Sequence, residues 1–81
     1  YEARKELNKK IKKLEKQVAE CEKEIEKLEA EIIQTEEQMT TPEGAADMTL
    51  YAHHQQLKTK MNKVVEEWEE FSMELDELNQ N

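Results

Sequence analysis

The sequence predicts an all-α protein built as a two-helix antiparallel coiled-coil hairpin. Three observations predict it. Apolar residues recur at alternating four- and three-residue spacings in two long runs, the period of a coiled-coil seam. The chain's only proline and only glycine both fall between those runs, at Pro42 and Gly44. Charged residues make up 40% and mean hydropathy is −1.08, so the apolar surface is confined to a stripe and cannot enclose a globular core.

The first run is Leu7, Ile11, Leu14, Val18, Cys21, Ile25, Leu28, Ile32, Thr35 and Met39. Glu, Lys, Leu, Ala and Gln dominate this segment, which contains no glycine or proline, so a helix is expected over about 2–39. The connection follows at about 40–48. Pro42 lacks a backbone donor and disfavours helical geometry at Thr41, while Thr41 ahead of Pro42 and Glu43 suits the cap of a single helical turn. Asp47 or Thr49 then caps a second helix, expected over about 49–78. Its seam is Leu50, His54, Leu57, Met61, Val64, Trp68, Phe71, Leu75 and Leu78, with Asn79, Gln80 and Asn81 fraying. Neither stripe is hidden from water alone, and the short connection makes the other helix the nearest cover.

Two registers keep both seams in contact. The preferred one sets Met39 opposite Leu50, Ile32 opposite Leu57, Ile25 opposite Val64 and Cys21 opposite Trp68. It also puts the two polar seam residues, Thr35 and His54, in one layer, where each is expected to satisfy the other. A register one heptad tighter pairs Lys10 with Glu74 and Glu24 with Lys60 along the flanks, but leaves His54 against Leu28. Opposite charges favour antiparallel pairing in either case: Glu22, Glu24, Glu29, Glu31 and Glu36 flank late helix 1, and His53, Lys58 and Lys60 flank early helix 2.

Composition excludes several classes of function. No apolar stretch approaches the roughly 20 residues a membrane span needs, and no signal-peptide pattern opens the chain. A single cysteine forbids an internal disulfide and fits a reducing, cytoplasmic setting. Phosphate-cradling loops need glycines beyond the lone Gly44, and nucleophile–base constellations need a concave site that two helices do not enclose, so no catalytic residue, cofactor or metal is expected. Adjacent His53 and His54 point about 100° apart on a helix and do not share a metal. Cys21 reads as a small seam hydrophobe, and Trp68 and Phe71 as packing residues instead of a stacking platform for bases.

The charge distribution carries more. Net charge is −8, yet residues 1–16 hold seven basic side chains against three acidic ones, a local +4 that leaves −12 elsewhere. Within it Lys5, Lys9, Lys12 and Lys16 step by four, three and four on the outward side, a cationic stripe available to phosphates; Arg4 and Lys13 extend it. Glu66, Glu67, Glu69, Glu70, Glu74, Asp76 and Glu77 return to the same end in an antiparallel fold and offset its field.

Several of these residues carry a resemblance. Tyr1-Glu2-Ala3-Arg4-Lys5-Glu6-Leu7, then Ile11, Leu14-Glu15, Ile25 and Leu28-Glu29, resemble the opening helix of the C-terminal domain of ABC-F ATP-binding-cassette ATPases of the Uup type. The Thr41-Pro42-Glu43-Gly44 turn with Leu50-Tyr51 is similar to that family's connection, although Thr41 stands where aspartate often precedes the proline. Val65-Glu66-Glu67-Trp68-Glu69-Glu70-Phe71 resembles its closing signature, with Phe71 where leucine is commoner. The resemblance implies a single coiled-coil domain over 1–81, the C-terminal fragment of a larger soluble ATPase whose ATP sites lie elsewhere. It further implies a non-catalytic arm that contacts DNA, structured RNA or the ribosome during translation, and the pairing of the two stripes within one chain predicts a monomer. The alternatives are a structural or protein-interaction hairpin packing on its own ATPase domains or a partner protein, and a homo-oligomerising coiled coil, which β-branched Ile11, Val18, Ile25 and Ile32 also suit.

Overall fold

The computed structural model describes residues 2–80. Two long helices, α1 (Glu2–Met39) and α3 (Met48–Gln80), pack against each other, and one turn of helix, α2 (Pro42–Ala45), lies in the connection. Among the described residues there is no strand. The result is a rod of 64 × 16 × 14 Å with a radius of gyration of 18.3 Å, against about 12 Å for a compact chain of this length. α3 begins at Met48, one residue before the expected start, and stays helical through Asn79 and Gln80, where fraying is expected from the sequence; Asn81 lies outside the described residues.

The helices run antiparallel, and the side chains they bring together fix the register. His54 reaches Glu36, while Gln17, Cys21 and Glu24 share one flank with Phe71, Glu67 and Val64. Ile25 and Glu22 share the other flank with Val65 and Trp68. These neighbours belong to the register with Cys21 and Trp68 in one layer. The tighter register would carry His54 eight residues past Glu36, about 12 Å along the axis.

Every seam position named from the sequence is buried or half-buried. Burial is uneven between the rows. On α1 the buried residues are Leu14, Cys21, Leu28 and Thr35, one per heptad, whereas α3 contributes Leu57 alone. Leu28, at 1% exposure, is the deepest side chain. With only two helices, one row faces the partner squarely and the next row sits at the rim, where water reaches it.

The polar layer departs from expectation. Thr35 Oγ1 donates to the Glu31 carbonyl at 2.8 Å, one turn back on its own helix, and not to His54. A helical threonine finds that i−4 carbonyl without help from a partner strand or helix, so it is satisfied locally. His54 Nε2 is buried, has no hydrogen bond, and lies 3.9 Å from Glu36 Oε2. The flank ion pairs are also looser than charge complementarity suggests. Among the described residues, no Lys, Arg or His other than His54 lies within 4.0 Å of a carboxylate. Exposed pairs gain little over hydration, so long side chains are left free.

The connection is tightly bonded. Thr40 Oγ1 donates to the Glu37 carbonyl at 2.6 Å and Thr41 Oγ1 to the Gln38 carbonyl at 2.8 Å, satisfying two of the last carbonyls of α1. Thr41, extended at φ −78° and ψ 151°, caps α2 by accepting from the Gly44 N–H at 3.0 Å, with Pro42 in the first turn where its missing donor costs nothing. Asp47 caps α3: its Oδ1 accepts from the Thr49 hydroxyl at 2.6 Å and from the Thr49 backbone N–H at 2.9 Å.

Those bonds, the hydroxyl first and the backbone N–H second, hold the Asp47 carboxyl below its ordinary value of 3.8. A lowered folded value means the unfolded chain takes up the proton first as pH falls. The cap is therefore at full strength above about pH 3.8 and is lost as pH drops through the lower folded value. Asp47→Ala is expected to lower the thermal midpoint at neutral pH, with the gap to the parent chain closing in strong acid. Asp47→Asn should retain most of the midpoint, since asparagine caps as well. Midpoints read by circular dichroism across pH check this; a gap that persists unchanged in strong acid would count against it.

Candidate nucleic-acid interface

Arg4, Lys5, Lys9, Lys12, Lys13 and Lys16 are all exposed on the first four turns of α1. Helical spacing sets Lys5, Lys9, Lys12 and Lys16 along one outward strip about 16 Å long. Lys13 lies apart from that strip. With Lys10 and Leu14 it borders a groove whose other wall is Phe71 and Glu74, so it faces the acidic end of α3. The antiparallel fold thus returns the acids of α3 to the same end of the rod, but none comes within ion-pairing distance of the stripe among the described residues. The strip is a row of flexible, hydrated ammonium groups, a form suited to phosphates as point charges and unsuited to reading base edges.

Trp68 and Phe71 are half-buried in the seam and form no exposed stacking platform. The Trp68 Nε1–H is buried without an acceptor, a destabilising feature of its layer. Cys21 is buried, and its thiol is pushed up, first by burial and then by the neighbouring carboxylates of Glu67 and Glu20. It stays protonated at neutral pH and is a poor nucleophile. Among the described residues, no group of three His, Cys, Asp or Glu side chains is placed to hold a metal ion. Among the described residues no helix is long and apolar enough to cross a membrane.

The seam pattern did not reveal a second feature. Ile25, Val65 and Trp68 line an open groove on one flank, walled by Glu22 and Glu26. Its signal was present in the paired valines Val64-Val65, since only Val64 is needed for the seam. Four further large apolar residues lie off the seam and exposed: Ile33, Met48, Tyr51 and Met73.

No family model, curated protein or solved structure matches the chain. The class is therefore defined by the fold, an all-α helical hairpin, and its described residues include a cationic stripe and an apolar flank groove.

Proposed function

We propose that this hairpin is a non-catalytic arm that contacts structured RNA or DNA through the α1 stripe. The observation that carries the reading is the exposed row Lys5, Lys9, Lys12 and Lys16, with no carboxylate among the described residues in ion-pairing distance of it. The resemblance of its opening helix, its proline turn and its Trp-Glu-Glu segment to the C-terminal domain of ABC-F ATPases supports the same role, as an arm that touches the ribosome during translation. The chain's net charge of −8 sets the strength. Acids on α3 oppose the approach of a polyanion, so binding depends on salt and needs the stripe turned toward the phosphates.

Titration with ribosomal RNA fragments, transfer RNA and duplex DNA at two salt concentrations tests it. Each lysine on a phosphate adds about 0.7–0.9 to the slope of log affinity against log salt. Changing all four lysines to glutamine is expected to flatten the slope by about 3 and to weaken binding to every sequence alike. Absence of binding, or a slope indifferent to the four substitutions, removes the proposal.

A further inference from the structure

The hairpin leaves more surface in water than its size requires. Its accessible area is 6656 Å² at 9.6 kDa, against about 5,100 Å² for a globular monomer of that mass. Part of the excess is apolar and concentrated: Ile25, Val65 and Trp68, none of them fully buried, form the floor of the flank groove.

What borders that floor is acidic. Glu22 and Glu26 wall the groove. Glu29 and Glu36 recur at heptad spacing from Glu22, so carboxylates continue along the α1 side of this flank toward the connection, where Lys58, one heptad from Val65, is the cation on the α3 side. We propose that this flank is a docking site for a cationic amphipathic helix of a partner protein. Apolar residues at i, i+3 or i+4 and i+7 of that helix would fill the floor, and its Lys and Arg side chains would meet Glu22, Glu26 and Glu29.

Charge selects among the possible occupants. A nucleic acid is repelled by the carboxylate row. A second copy brings the same row against itself and joins two chains of net charge −8. A basic helix relieves the acid–acid repulsion and covers the apolar floor at once. The lysine stripe lies on the first four turns of α1, outside the groove, and contributes nothing to it.

Trp68 is the only tryptophan, so its fluorescence reports on the floor alone. The probe is a synthetic tryptophan-free helix with leucines at heptad spacing and Lys and Arg on its flanks; its counterpart carries Glu in place of Lys and Arg. The basic peptide is expected to bind and shift Trp68 emission to the blue, and the acidic one not to bind. Val65→Glu should weaken binding about tenfold or more by placing a charge in the floor. Glu22→Gln with Glu26→Gln should weaken it about fivefold. Glu24→Gln with Glu67→Gln removes the same charge from the opposite flank and should change little, and circular dichroism shows whether each variant keeps its helicity. Equal losses from the two charge-matched pairs would mean diffuse attraction and would overturn the proposal. So would an acidic peptide that binds equally well, or sedimentation showing that the flank is covered by a second copy of the chain.

Discussion

Replacing Leu28 with alanine is expected to lower stability by about 3 kcal/mol, the largest loss of any single truncation in the seam. Leu28 is 1% exposed, deeper than the next buried residues of its row, Cys21 and Thr35 at 8% and 5%, whereas Ile25 and Ile32 reach water at the rim. Removing its branched end therefore deletes apolar area that no water touches and leaves a void between two helices. Leu7→Ala is the matched control. Leu7 is only half-buried near the open end, so its truncation is expected to cost about 1 kcal/mol or less. For a domain of this size 1 kcal/mol moves the thermal midpoint by about 4–8 °C, so the two variants separate clearly in a melting experiment followed by circular dichroism. Equal losses at Leu28 and Leu7 would contradict the uneven burial of the seam.

Gly44→Ala tests the connection, and its sign is the informative part. Gly44 lies in α2, and on helix propensity alone alanine would stabilise that turn by about 1 kcal/mol. Space says the opposite. An added Cβ overlaps the Gln38 carbonyl oxygen, lies 2.7 Å from the Gln38 carbonyl carbon and 2.9 Å from Thr41 Oγ1. Backbone at the end of α1 cannot yield as a side-chain tip does, because the Gln38 carbonyl already accepts from the Thr41 hydroxyl and, at 3.4 Å, from the Thr41 backbone N–H. The expected result is a net loss of about 1–3 kcal/mol, read as a lower midpoint in a thermal or urea transition. A stabilised variant would show that α2 does not approach α1 so closely. The glycine is required for lack of a side chain, not for an unusual backbone angle, since Gly44 has no positive φ.

Much of this architecture was legible in the residues. A strict four–three alternation has one physical outlet, a stripe that another helix must cover, and each residue on it is at least half-buried. Thr41 was legible as a cap because it stands directly ahead of Pro42, which suits a first helical turn, and the sequence narrowed the cap of α3 to Asp47 or Thr49, of which the structure shows Asp47. What the pattern did not convey was three-dimensional closeness. The clearance around Gly44 depends on how α2 folds onto the end of α1. Thr35 and His54 share a layer, yet the hydroxyl prefers a carbonyl on its own helix, and the imidazole is left beside Glu36 at 3.9 Å. The stripe of lysines was visible as spacing. The flank groove was not, because Val65 gains meaning only once Ile25 is known to stand across from it.

The rod's slenderness has a mechanical consequence. At 64 Å long and about a quarter as wide, a rod of this shape held at its open end would act as a lever whose tip is the capped connection. A tilt of a few degrees at the root sweeps the tip through several ångströms. Any partner that grips the lysine row near the fulcrum thereby steers Pro42 and its neighbours at long reach, without any change in how the two helices meet.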